Sequence, residues 1–248
     1  MAVDEWLAWR ASLEPERVHL RLYTWRVGAI TIGLHQKKEL ALDFPRLSDT
    51  PVIRRVTGGR AVYHDPSELT YAIAVNTRHL RNPQLIGSLS KTSAAIAEAL
   101  TRFLTRLGME SRCVRRSSAT DSRAAFFHTA PCFDSVSRHE IMADSRKIIA
   151  SAQRRIKATI LQHGAVKLGG IAPHPALGGQ PRRNFCAFDI TPIAENRFDL
   201  MASLFAQEMG AFFGLLIEER QLGEADWEKV AYRTAILKKN PLVRRNFF

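Results

Sequence analysis

The segment "VIRRVTGGRAVYHDPSELTYAIAV", residues 52–75, sets apolar runs on either side of a charged loop that holds two adjacent glycines. The runs "VI", "AVY" and "LTYAIAV" are rich in β-branched and aromatic residues and read as strands, so the loop interrupts a sheet. A glycine pair there lets the backbone take positive φ and lets a ligand approach the chain with no Cβ in the way. Two readings stay open on this pattern: a plain hairpin turn between the flanking strands, and a ligand-binding loop. Neither G-x-x-x-x-G-K-[ST] nor G-x-G-x-x-G is present, so the glycines carry no phosphate-loop signature.

Along the rest of the chain strands and helices intermix without strict alternation. Residues 2–13 place Val3, Trp6, Leu7 and Leu13 near helical spacing, with Asp4 and Glu5 in the first turn, where the helix dipole favours acids. "HLRLYTW" and "GAITIGL" read as strands with Val27-Gly28 as the turn between them. Residues 83–108 read as a long helix whose core stripe is Ile96, Leu100, Phe103, Leu104 and Leu107, stopped by Gly108. "RHEIMADSRKIIASAQRR" reads as a hairpin turning near Asp144-Ser145, and "ATILQHGAVKL" as a further strand. Residues 169–183, with their prolines and glycines, form a loop long enough for a lid, and a last helix over residues 200–213 carries Leu204, Phe205, Met209 and Phe212 inward. The expected fold is α+β, with mixed or antiparallel sheets flanked by helices, in a single domain over residues 1–248.

Hydrophobic residues make up 46% of the chain, enough for a sizeable core. No apolar run approaches the roughly 18 residues that span a bilayer, and the first twenty residues are too acidic and broken for a signal peptide. A cytoplasmic location with no membrane partner is therefore expected. Cys113, Cys132 and Cys186 are odd in number and widely spaced, which argues against a disulfide framework and shows no C-x-x-C zinc pattern. The net charge of +12 asks for an acidic partner, either nucleic acid or a small acidic carrier protein. The basic residues are scattered, outside any helix-turn-helix, RNP motif or zinc finger.

Cys132, in "HTAPCFDSVSRHE", precedes the hairpin that presents Lys147 in "DSRKIIASAQRR". A thiol attacks as its thiolate and a nearby ammonium favours that form, so the two make a nucleophilic pair if the fold brings them together. A lone cysteine is otherwise a small buried hydrophobe.

In order and spacing, "RRVTGGRAVYHDPSELTY", "APCFDSVSRHE", "RKIIASAQRR" and "ILQHGAV" resemble the octanoyltransferase branch of the biotin/lipoate protein ligase superfamily. The likeness runs from "MAVDEW" through "LRLYTW" to the last helix. It implies that the glycine loop meets the acyl carbonyl, that Arg55, Gly58, Gly59 and His64 line the site, that Lys147 is the essential lysine, and that Cys132 is the acyl-accepting nucleophile. It also implies acyl transfer with no cofactor or metal, from octanoyl acyl carrier protein to a lysine of a lipoyl domain or the glycine-cleavage H protein. Arg60 after the glycines and "ELTY" at residues 68–71 differ from the "R-R-x-S-G-G-G" and "H-D-x-G-N" of ATP-dependent lipoate ligases, the main alternative. Arg154-Arg155 is also compatible with a cysteine-dependent amidotransferase branch. A basic nucleic-acid-binding module is the alternative from another class, suggested by charge alone. Val136, His139 and Ala150 depart from the branch pattern, which usually has proline, tyrosine and glycine there.

Overall fold

The computed structural model describes residues 1–78, 87–114, 139–143, 146–167, 174–177, 198–216 and 218–239. In chain order these form α1 (Ala2–Leu13), β1 (Val18–Tyr23), β2 (Ala29–Ile32), the single-turn α2 (Lys38–Ala41), β3 (Val52–Arg54), β4 (Val62–His64) and β5 (Leu69–Asn76). Then follow α3 (Leu89–Arg106), β6 (Arg112–Cys113), β7 (Ile141–Ala143), β8 (Arg146–Ile156), β9 (Thr159–Val166), α4 (Phe198–Phe213) and α5 (Glu224–Lys239).

Every residue of β5 is buried, as expected of an apolar run that lies between layers. It sits inside a six-stranded antiparallel sheet of order β1-β5-β9-β8-β7-β6. One face of that sheet packs against Ile96, Leu100, Phe103 and Leu104 of α3 and Phe205 and Met209 of α4. The Phe205 ring meets those of Tyr71 and Phe103, each at a centroid distance of 5.2 Å. The opposite face receives α1, whose Val3, Trp6, Leu7, Ala8 and Ala11 cluster with Ala74, Leu161 and Val56. Each large apolar side chain buried this way contributes about 1.5–3 kcal/mol.

A second sheet of three strands, in order β3-β2-β4, pairs β2 parallel to β3 and antiparallel to β4. The strands on either side of the glycine pair therefore flank β2 instead of pairing with each other. This overturns the hairpin reading: residues 55–61 cross over the end of β2. The turn at Val27-Gly28 likewise passes from one sheet to the other, since β1 belongs to the large sheet and β2 to the small one.

Several local expectations shift. Leu13 is 60% exposed, and Ala8 and Ala11 complete the buried stripe of α1 in its place. Asp4 and Glu5 are buried, not solvated. Helix α3 starts later than residue 83, behind Ser88, whose hydroxyl accepts from the Lys91 amide as an N-cap. Helix α4 is not the last: the polar α5 follows and contributes Val230 to the cluster around α1. Of the suspected lid only residues 174–177 are described; there Ala176 and Leu177 pack against the small sheet. Among the described residues no helix is long and apolar enough to cross a membrane.

Candidate active site

The loop that crosses β2 is held by the side chain at its own base. Arg55 is buried, and its Nη1 donates to the Thr31 carbonyl at 2.9 Å and the Thr31 hydroxyl at 2.8 Å. Its Nη2 donates to the carbonyls of Gly58 at 3.0 Å and Arg60 at 2.7 Å. In a trans peptide the N–H points opposite to the preceding C=O. Drawing the Gly58 carbonyl onto Arg55 thus aims the Gly59 amide away from the guanidinium, and neither the Gly58 nor the Gly59 amide donates to the backbone of another described residue. Gly59 has φ of +95°, and a Cβ there would stand 3.1 Å from Arg55 Nη2. A Cβ on Gly33, at the end of β2, would collide with the Gly59 carbonyl. The turn is a tight bracket of backbone whose two glycine amides are left unused by the backbone of the other described residues.

Lys147 reaches the same side of the large sheet through an irregularity in pairing. Ile141 lies opposite Ile149 while Met142 lies opposite Lys147, so β8 carries one extra residue, a β-bulge at Ile148. Ile148 and Ile149 both enter the core under α3 and α4, as do Ile141 and Ala143, whereas Met142 does not. Met142 and Lys147 therefore share the opposite face, the one on which Ala152 lies 3.9 Å from a Cβ built on Gly59. There Lys147 Nζ forms an ion pair with Glu140 at 2.6 Å, with side chains only 1% and 8% exposed. His139, just before Glu140, has φ of +68° and hydrogen-bonds Ser90 through Nε2 at 2.8 Å. Arg154, from the same strand as Lys147, donates to the Val56 carbonyl at 3.1 Å and ties β8 to the loop.

His64 supports this bracket from below. It is buried, stacked on Trp25 with a centroid distance of 4.5 Å, and hydrogen-bonded through Nε2 to Thr31 at 2.7 Å and through Nδ1 to Glu68. Thr31 already accepts from Arg55, so its hydroxyl donates to the imidazole, and Nδ1–H donates to the Glu68 carboxylate. Lys167 closes the network, donating to Glu68 at 2.7 Å, Asp65 at 3.2 Å and the Tyr63 carbonyl at 2.8 Å. Burial alone would raise the Glu68 carboxyl, but His64 and Lys167 outweigh it and pull it down to about 2. Burial pushes the imidazoles of His64 and His163 below the ordinary 6.5.

These shifts predict a two-step loss of stability in acid. Because both imidazoles take up protons less readily folded than unfolded, their contribution is complete above pH 6.5 and declines as pH falls below it. Glu68 acts in the same direction from 4.5 downward, and its contribution, on the order of 3 kcal/mol, is lost as pH falls towards 2. Thermal midpoints measured from pH 8 to pH 3 should fall first below about 6.5 and again below about 4.5. A midpoint that stays level between pH 7 and pH 5 would contradict the first step.

Residues 1–170 match the family model of the lipoyl protein ligase A/B catalytic domain. The chain belongs to that family. Within the lipoyl protein ligase A/B family it is 37% identical over 170 residues to octanoyltransferase LipM of Kyrpidia tusciae, an alignment that covers 68% of this chain and 61% of the relative. It is 34% identical over 174 residues to octanoyltransferase LipM of Brevibacillus brevis, covering 68% and 60%. The chain thus spans about three-fifths of the length of the curated relatives it matches. The crystal structure of lipoate-protein ligase A bound with ATP aligns with a TM-score of 0.70 at 20% identity over 93% of this chain and 88% of that one, which shows a shared fold.

Of the residues expected at the site, Arg55, Gly58, Gly59 and His64 form one connected structure around the loop, and Lys147 lies on the sheet face that the loop overlies. Cys132 lies outside the described residues. Sequence reasoning passed over Thr31, Thr57, Glu68, Glu140, His163 and Lys167. The pair His64 and Glu68 stands inside the quoted "HDPSE" run and was open to notice; the others meet only through the fold.

Proposed function

We propose that the chain is an acyltransferase of protein lipoylation that moves an octanoyl or lipoyl group from acyl carrier protein to a lysine of a lipoyl domain or the glycine-cleavage H protein. The observation that carries this reading is the common placement of Lys147 and the Gly58–Gly59 bracket on one face of the large sheet. The 37% identity to an octanoyltransferase supports the same choice. The Cys132 thiolate attacks the thioester carbonyl, the bond to the carrier's thiolate breaks, and the acyl group rests on sulfur. An unprotonated lysine amine of the acceptor then attacks that carbonyl, loses its proton, and releases Cys132 as thiolate. In both steps the oxyanion that forms is stabilised by the loop amides and the Lys147 ammonium, charges and dipoles already in position before reaction. Thioester exchange is nearly balanced and the amide is more stable, so no ATP is consumed. An acidic carrier and an acidic lipoyl domain would both be drawn by the net charge of +12.

The test is mass spectrometry of the intact protein after incubation with octanoyl acyl carrier protein and no ATP. One hydroxylamine-labile octanoyl group per chain is expected, followed by its transfer to a lipoyl domain. Absence of the adduct, together with ATP-dependent release of AMP, would replace this reading with that of a ligase.

Gly59→Val probes the bracket. A β-branched residue at φ of +95° beside Arg55 must displace the loop, and transfer should drop by about 10²-fold or more while circular dichroism stays unchanged. A fully active Gly59→Val would remove the loop from the mechanism.

A further inference from the structure

Thr57, immediately before the glycine pair, is fully buried and ends a chain of buried polar groups that no step of the proposed transfer uses. Its hydroxyl lies 2.6 Å from His163 Nε2 on β9, and His163 Nδ1 lies 3.2 Å from Asp4 Oδ2 on α1. Arg21 on β1 donates to the other oxygen of Asp4 at 2.7 Å. An ionised carboxylate only accepts, so Nδ1 carries the proton; a neutral ring then presents Nε2 as acceptor, and the Thr57 hydroxyl donates to it. Burial would raise the Asp4 carboxyl, but the amino group of Met1, His163 and Arg21 outweigh it and hold it well below the usual carboxylate range, while burial pushes the His163 imidazole below its ordinary value against the pull of Asp4.

The groups follow the order of a hydrolytic triad, but Thr57 is closed off from any substrate, and its hydroxyl proton is committed to the imidazole. The backbone of Thr57 is also fixed: its carbonyl accepts from the Leu34 amide at 2.8 Å. The same order, carboxylate, imidazole and threonine hydroxyl, recurs as Glu68, His64 and Thr31, and Thr31 in turn receives Arg55, which grips the far side of the glycine pair. The loop is therefore suspended between two such chains, one entering at Thr57 and one through Arg55.

We propose that Asp4, His163 and Thr57 are positioning residues for acyl transfer: through the Thr57 hydroxyl they fix the entry to the glycine bracket and so aim the Gly58 and Gly59 amides at the acyl carbonyl. This rests on the reading of that bracket as the carbonyl cradle. A donor displaced even slightly from the developing oxyanion loses much of its effect, whereas substrate affinity, set elsewhere, does not change.

The test compares Thr57→Val, which keeps the shape but removes the hydroxyl, with Thr57→Ser, which restores it. In single-turnover acylation by octanoyl carrier protein, Thr57→Val should slow the chemical step about tenfold or more at unchanged apparent affinity for the carrier, and Thr57→Ser should remain within about twofold. Hydrogen exchange of the Leu34 amide in the substrate-free protein reports the loop directly, because it donates to the Thr57 carbonyl; it should speed up in Thr57→Val and not in Thr57→Ser. An unchanged acylation rate in Thr57→Val, a rate loss without faster Leu34 exchange, or an equal loss in Thr57→Ser would each overturn the proposal. Gly59→Val separates the two levels: full transfer by that variant would sink the cradle reading itself, while Leu34 exchange still answers whether the hydroxyl anchors the loop.

Discussion

Replacing Cys132 with alanine should abolish the octanoyl adduct and the transferred product together, a loss on the order of 10³-fold or more. The expectation follows from the proposed two-step chemistry: without the thiol no acyl-enzyme can form, and direct attack by an acceptor lysine on the carrier thioester lacks the step that divides the barrier. Cys113→Ala and Cys186→Ala serve as controls and should transfer normally. Cys113 lies on β6, partly buried against the core beneath α3 and α4. If Cys132→Ala transfers octanoyl at the wild-type rate, the sulfur is not the acyl carrier, and the proposed mechanism fails at its first step.

Lys147→Ala should produce the next largest loss, about 10²–10³-fold in kcat with little change in KM, since in the proposed mechanism the ammonium acts on charge that exists only in the transition state. The same substitution strands the buried carboxylate of Glu140, which costs about 3–5 kcal/mol of stability, so loss of activity by itself proves nothing. The double variant Lys147→Ala/Glu140→Gln resolves the two effects, because it removes the stranded charge along with the lysine. Its melting temperature should recover most of what Lys147→Ala loses, while its activity stays at the level of the single variant. Glu140→Gln alone keeps the ammonium but loosens its hold, and a milder loss of about tenfold is expected. If activity in the double variant returned along with stability, the ion pair would be a structural feature and Lys147 would have no part in the chemistry.

Much of this was legible in the sequence, and the physical reason separates what was from what was not. The runs that became β5, β8, β9, α3 and α4 declare themselves by period and by residue type, because a strand or helix is dictated by neighbours a few positions away. Gly58–Gly59 was recognisable as a special turn for the same reason, since the need for positive φ, met here at Gly59, is local. Pairing is another matter. That β3 and β4 both pair with β2, and that β1 leaves its sequence neighbour β2 for β5, depends on which faces can be buried together across the whole chain. A bulge at Ile148 leaves no mark in "RKIIASAQRR", yet it alone turns Lys147 away from the core and onto the side of the loop. Asp4 illustrates the limit most clearly: within α1 it reads as an acid favoured by the helix dipole, and only the packing of α1 against β9 and β1 encloses its carboxylate between His163 and Arg21. A charge enters the interior only with its partners, and those partners are contributed by strands far away in sequence, so sequence by itself determined the strands, the helices and the glycine turn, and tertiary structure decided which charges they enclose.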